Sequence, residues 1–120
     1  MSKRILVVED DFDTRYMLSL ILKSEGYDVI TAADGEGALA VVFEQPPDLI
    51  ITDISMPCLN GIELTRSLRC KAETARLPIL ALTAFGETTM NAALDAGASA
   101  CARKPVQMSE FLPMIKNLMA

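Results

Sequence analysis

Short apolar runs alternate along the whole chain with longer polar stretches that repeat at helical spacing. The runs are Ile5-Leu6-Val7-Val8, Tyr27-Asp28-Val29-Ile30-Thr31, Leu49-Ile50-Ile51-Thr52, Pro78-Ile79-Leu80-Ala81-Leu82-Thr83 and, more weakly, Ala98-Ser99-Ala100-Cys101-Ala102. Runs of this length predict strands, and the segments between them predict helices. The first, third and fourth runs are apolar without alternation, the pattern of central parallel strands covered on both faces.

The first helix is predicted over Asp13 to Glu25, with Tyr16, Met17, Leu20 and Ile21 at helical spacing and Gly26 as its stop. The second fits Gly35 to Gln45, ended by Pro46-Pro47. The third runs from Gly61 to Cys70 with Asn60 as N-cap and Ile62, Leu64, Thr65 and Leu68 distributed around it. The fourth, rich in alanine, covers Glu87 to Ala96 and is closed by Gly97. The last spans about Ser109 to Met119, with Ser109 as N-cap. Pro113 falls inside this helix, where a first-turn position would suit it best; otherwise it shapes a partner surface. Met108, Met114 and Met119 nearby read as core.

Five strand–helix pairs in 120 residues predict an α/β domain. The expected architecture is a doubly wound five-stranded parallel sheet with helices on both faces, its site at the carboxyl ends of the strands. No linker, repeat or low-complexity segment interrupts residues 1–120, so a single domain is expected.

Charge and composition narrow the chemistry. Eleven basic against sixteen acidic residues leave a net charge of −5, which argues against direct nucleic-acid binding or an anionic lipid surface. No apolar run approaches the roughly 20 residues of a bilayer span, and Met1-Ser2-Lys3-Arg4 leads into only four apolar residues, too few for a signal peptide. A cytoplasmic protein with no membrane insertion is expected. Cys58, Cys70 and Cys101 are odd in number and widely spaced, so they read as small apolar fillers, not as a disulfide framework or a metal site. The absence of histidine removes His-based general bases, Ser-His-Asp triads and most zinc sites.

Carboxylate, hydroxyl and lysine groups collect where the strands end. The first strand ends in Glu9-Asp10-Asp11, the third in Asp53 and the fourth in Thr83, while Lys104-Pro105 follows the fifth. Each alone could simply cap the next helix. Together, Glu9, Asp10 and Asp53 total −3 and would repel one another unless a cation sat between them. One Mg²⁺ and Lys104 supply +3, and an all-oxygen donor set suits that ion and a phosphate oxygen beside it. In such chemistry a carboxylate can itself be the nucleophile, forming an aspartyl phosphate. Asp53, at the end of the most continuous apolar strand, is the best candidate, with Thr83 and Lys104 placed to contact phosphate oxygens.

This constellation resembles the response-regulator receiver domains of bacterial two-component signalling over essentially the whole chain. The motifs are Ile5-Leu6-Val7-Val8-Glu9-Asp10-Asp11, Asp53-Ile54-Ser55-Met56-Pro57, Asn60-Gly61, Leu82-Thr83-Ala84, Gly97-Ala98 and Lys104-Pro105, in order and at suitable separation. The resemblance implies a flavodoxin-like sheet of strand order 2-1-3-4-5. It implies that Asp53 accepts a phosphoryl group from a phosphohistidine on a sensor histidine kinase or a histidine phosphotransfer protein, with Mg²⁺ required for transfer and hydrolysis. Asp10 would be a direct metal ligand, Glu9 would act through water, and the Ser55 carbonyl would be the remaining protein ligand. Lys104 would contact the phosphoryl group, and its bond to Pro105 is expected to be cis. Thr83 would move toward the phosphate and reshape the face made by helix four, strand five and helix five, where an as yet unspecified downstream protein or a second copy of the chain would bind. Such a protein is a signalling switch whose only catalysis is its own phosphoryl transfer and autodephosphorylation.

Cys101 departs from the pattern, because the family usually places a Tyr or Phe there that swings inward. It reads as core filler, with an unusual or redox-sensitive switch as the alternative. Phe85, two residues after Thr83, is expected to overhang the site and slow water attack on the acyl phosphate. After Lys104-Pro105 only one helix remains, so no DNA-binding or catalytic output module is expected within these residues; a single-domain protein and a removed C-terminal part both stay open. Three rival readings also stand. An aspartate-nucleophile phosphatase would use the same Mg²⁺, Thr and Lys logic but generally has an acid where Ser55 stands, and an inserted cap. A pseudo-receiver would keep the fold without being phosphorylated, against the intact Glu9, Asp10, Asp53, Thr83 and Lys104. A flavin-binding protein would need a phosphate-cradling loop after the first strand, where this chain has acids.

Overall fold

The computed structural model describes residues 2–55 and 60–120. Strands β1 (Arg4–Val8), β2 (Asp28–Ala32), β3 (Leu49–Asp53), β4 (Ile79–Thr83) and β5 (Ala100–Arg103) form one sheet in the order β2-β1-β3-β4-β5. Every pairing in it is parallel. Helices α1 (Phe12–Ser24), α2 (Gly35–Glu44), α3 (Gly61–Arg69), α4 (Glu87–Ala96) and α5 (Met108–Leu118) connect and follow the strands. The flavodoxin-like order predicted from the sequence is the one observed.

The pleat sorts the apolar runs into two cores, since successive side chains of a strand leave opposite faces. Leu6, Val8, Ile50, Ile79 and Ala81 pack with Ala38 and Val42 of α2, Leu64 and Leu68 of α3 and Ala93 of α4. Ile5, Val7, Leu49, Ile51, Leu80 and Leu82 pack on the other face with Leu18 and Leu22 of α1 and Phe111 and Ile115 of α5. This double covering explains why β3 and β4 are buried at every position. It also forces both strands to deliver their last residues, Asp53 and Thr83, from a dry interior to one end of the sheet.

Several local expectations change. Helix α1 turns Leu18, Ser19 and Leu22 inward and leaves Tyr16, Met17 and Leu20 exposed, so the stripe Tyr16-Met17-Leu20-Ile21 is not its core face. Two apolar stripes run along this helix, and contact with Ile5 and Val7 selects the one containing Leu18 and Leu22. A single 3-10 turn, Ala72–Thr74, follows α3 and has no counterpart in the apolar pattern. The N-cap of α5 falls two residues earlier than expected, at Gln107, so Ser109 lies within the helix and caps nothing. Pro113 is consequently interior and not in the first turn. It is exposed, as is Ser109, whose carbonyl loses its helical partner at the edge of the protein where water replaces it. Cys70 is exposed at the end of α3 and is no core filler, whereas Cys101 is half-buried. Met108, Met114 and Met119 are half-buried against the second core. The motif residues Met56 and Pro57, and Cys58, lie outside the described residues.

Candidate functional site

The carboxyl ends of β1, β3 and β5 bring three acids and one lysine together. A carboxylate oxygen from each of Glu9, Asp10 and Asp53 lies within 4.8 Å of the others. Lys104 Nζ donates to Glu9 Oε1 at 2.7 Å and to Asp53 Oδ2 at 3.1 Å. Glu9 and Asp53 are buried, at 2% and 7% exposure, while Asp10 is exposed. Two buried carboxylates sharing one half-buried ammonium still leave a site of net charge −2 once Asp10 is counted, and that excess is what a divalent cation neutralises. The oxygen-only donor set with one open, solvent-facing carboxylate fits Mg²⁺, which retains several waters.

The electrostatics carry the same signature. Burial, and then the hydrogen bond and charge of Glu9, raise the Asp10 carboxyl above its ordinary value. Burial works against the Lys104 charge, but hydrogen bonds to Glu9 and Asp53 outweigh it, so the ammonium is held above its ordinary pKa. Lys104 therefore stays charged throughout the physiological range.

Local sequence explains why these groups meet. Register pairs Val8 of β1 with Thr52 and Asp53 of β3 with Leu82, so the strand ends fall in line across the sheet. The Lys104 N–H donates to the Thr83 carbonyl at 2.7 Å, extending the β4–β5 ladder by one residue and aiming the lysine at the acids. Asp11 caps α1, accepting from the Thr14 N–H at 2.9 Å and the Thr14 hydroxyl at 2.6 Å. At α3 the expected cap is a full capping box: Asn60 accepts from the Glu63 N–H at 2.9 Å, and the Asn60 N–H donates back to Glu63 at 3.2 Å. Gly61 approaches the acceptor strand so closely that a Cβ there would stand 2.3 Å from the Asp53 carbonyl oxygen and 2.9 Å from Ile54 Cα. Only glycine fits. The sequence showed Asn60-Gly61 as a motif, but the reason for its glycine is a contact across the loop that spacing alone does not reveal.

Thr83 is buried at the end of β4, and its hydroxyl accepts from the Phe85 N–H at 2.9 Å. That bond ties Thr83 to its own loop and leaves its hydroxyl proton free to point elsewhere. Phe85 is exposed. Ser55 is exposed two residues beyond Asp53. Cys101 lines a cavity of about 300 Å³ together with Arg103, Val106, Gln107, Glu110 and Met114, and burial pushes its thiol pKa up. The Lys104-Pro105 peptide bond is cis. Arg15, which the sequence reading passed over, donates to the Glu9 carbonyl at 2.7 Å.

This geometry is that of a doubly wound α/β domain gathering acids and a lysine at the carboxyl rim of its sheet. The chain belongs to the response regulator receiver domain family, which it matches over residues 5–116. It is 37% identical over 117 residues to the DNA-binding response regulator MtrA of Mycobacterium tuberculosis, covering 97% of this chain and 50% of that protein. The chain thus spans about half the length of the curated relatives it matches. Among solved structures it resembles the chemotaxis response regulator CheY4 of Vibrio cholerae, with TM-score 0.92, 31% identity and coverage of 98% of this chain and 99% of that one. It also resembles the receiver domain of the Pseudomonas aeruginosa sensor histidine kinase PA1611, solved with a magnesium ion coordinated in its active-site cleft, with TM-score 0.90, 30% identity and coverage of 99% and 98%. Receiver domains are signalling modules and not classical enzymes, and members of this family bind Mg²⁺ at their acidic site and are phosphorylated by histidine kinases. Among the described residues, no helix is long and apolar enough to cross a membrane.

Proposed function

We infer that this chain is a phosphorylation-dependent switch in which Asp53 takes a phosphoryl group from a phosphohistidine. The observation that carries this reading is the convergence of Glu9, Asp10 and Asp53 within 4.8 Å around Lys104. Asp53 is the nucleophile because it ends β3, with the strand bearing Glu9 on one side and the strand bearing Thr83 on the other. Asp53 forms a P–O bond as the P–N bond of the donor breaks, and the bonding pair returns to the imidazole nitrogen. Hydrolysis later adds water, regenerating the carboxylate and releasing inorganic phosphate.

Glu9, Asp10, Asp53 and the Ser55 carbonyl are the groups that would hold Mg²⁺, which when bound offsets charge on the phosphoryl oxygens. Lys104, already within hydrogen-bond distance of Asp53, ion-pairs with a phosphoryl oxygen once the carboxylate is esterified. Thr83, whose hydroxyl accepts from the Phe85 N–H and keeps its own proton free, donates that proton in a hydrogen bond to the phosphate, and its loop follows. The side facing α4, β5 and α5 is then remodelled for a downstream partner or a second copy of the chain. Cys101, where the family usually has an aromatic ring, makes the half-buried floor of that face.

The donor is a sensor histidine kinase or a histidine phosphotransfer protein, supported by the apolar surface that Phe12, Tyr16, Met17 and Leu20 expose on α1, the helix that follows the acidic pair. Residues 1–120 form one receiver domain, and the chain works in the cytoplasm. The direct experiment is intact mass after incubation with acetyl phosphate, with Mg²⁺ or with EDTA, alongside Asp53→Asn. A gain of one phosphoryl mass that requires Mg²⁺ and vanishes in the variant is expected. A folded, Mg²⁺-binding protein that gains no mass would leave the pseudo-receiver reading; a mass gain persisting in Asp53→Asn would move the acceptor elsewhere.

A further inference from the structure

We propose that Arg15 is a positioning residue for the acidic pair, fixing the Glu9-Asp10 backbone so that both carboxylates are presented to the cation; this rests on the Mg²⁺ reading above. Arg15 Nη1 donates to the Glu9 carbonyl at 2.7 Å and reaches toward the Asp10 carbonyl at 3.5 Å. The guanidinium also lies over the Phe12 ring, 5.5 Å from its centroid. Phe12 in turn stacks on Tyr16 with centroids 6.0 Å apart and planes inclined by 4°. Both rings are exposed, and together they form a platform that orients the guanidinium.

The Glu9 carbonyl belongs to the peptide joining the two acids, so its rotation would swing both side chains. Lys104 grips Glu9 and Asp53, which leaves Asp10 placed by its backbone. That backbone is closed into a ring. The Arg15 N–H donates to the Asp11 carbonyl at 3.0 Å while its side chain folds back on Glu9, and the Asp11 cap holds the turn between. A permanent positive charge close to a cation site would by itself weaken Mg²⁺ binding. Its presence is therefore informative, because positioning and charge predict opposite effects on removal.

The test is isothermal titration of the full chain with MgCl₂ for wild type, Arg15→Lys, Arg15→Gln and Phe12→Leu, with thermal melting of each in EDTA. Loss of groups that orient metal ligands commonly costs 10–100-fold in affinity, so a rise in the Mg²⁺ Kd of about tenfold is expected for both Arg15 variants. Phe12→Leu, which removes only the platform, should give a smaller rise, and the EDTA melts should coincide. Mg²⁺ binding in Arg15→Gln that equals or exceeds wild type would overturn the proposal, since Arg15 would then act by charge alone. A weaker Kd accompanied by a matching fall of the EDTA melting point would overturn it in favour of a structural role. Wild type that binds no Mg²⁺ would refute the metal reading itself, a failure distinct from variants that bind as well as wild type.

Discussion

The two halves of the sheet's carboxyl rim are built differently. Where β1 and β3 end, the described residues are tied at several points: Asp11 caps α1, Asn60 and Glu63 form a capping box on α3, Gly61 presses on the Asp53 backbone, and Lys104 ties Glu9 to Asp53. Where β4 and β5 end, restraint is sparse. Gly86 and Gln107 stand at the N-caps of α4 and α5, neither with a side-chain cap bond, Pro113 lies inside α5, and a cavity opens beside Cys101. Phosphoryl chemistry needs fixed groups, whereas a response needs elements whose alternative positions differ little in free energy. Under the proposed function the two tasks would fall to the two halves of one rim.

Crowding the held half should have the largest effect. Gly61→Ala drives a Cβ into the Asp53 carbonyl, and overpacking of this kind costs about 1–3 kcal/mol, read as a lower urea midpoint together with slower phosphorylation by acetyl phosphate. An unchanged midpoint would mean the approach of α3 to β3 is not a fixed contact. The far end of α4 offers the next test. Arg69 donates to the Gly97 carbonyl at 2.9 Å and the Thr74 carbonyl at 3.0 Å, clamping the C-terminal end of α4 while its N-terminal end stays free. Arg69→Met should lose about 1–3 kcal/mol by stranding those carbonyls, and equilibrium unfolding would measure it.

Caps make the contrast finer. Asn60→Ala should cost about 1 kcal/mol, while Gly86→Asn should add only a few tenths, because glycine is already an acceptable N-cap and its Cβ position is open. Equal and opposite shifts of the melting temperature would erase the difference between the halves. The smallest effect concerns thiols. Cys70, exposed, should react with iodoacetamide before Cys101, whose thiol pKa burial raises; peptide mapping of a time course shows the order. The sign is simple: the Cys101 thiolate, and so its reactivity, is reached only as pH climbs past the ordinary thiol range.

The sheet and the meeting of acids and lysine at its rim were legible because both write themselves into contiguous residues. Ile5–Val8, Leu49–Thr52 and Ile79–Leu82 are continuous apolar runs since both faces are covered, Glu9, Asp10, Asp53 and Thr83 stand directly at their ends, and Lys104 follows β5. The capping role of Asn60 was legible for the same local reason. What stayed hidden depends on contacts between distant segments. Tyr16, Met17 and Leu20 share the spacing of a core stripe, and only packing against β1 and β3 shows that Leu18 and Leu22 take that place. Ser109 has cap chemistry, yet the helix begins at Met108. Cys70 has the composition of a filler but falls where α3 runs out into solvent. Arg15 looks like a surface arginine until its side chain is seen folded onto the Glu9 carbonyl.

The central claim is that phosphorylation of Asp53 is registered by the loosely held half of the rim. Hydrogen exchange followed by mass spectrometry, with Mg²⁺ and acetyl phosphate against Mg²⁺ alone, and with Asp53→Asn as control, tests it most directly. Exchange is predicted to change over residues 83–90 and 101–110 while the start of α1 and the α3 capping box stay as they were, with no change in the variant. Changes concentrated in α1 and α3, or changes that persist in Asp53→Asn, would contradict the account.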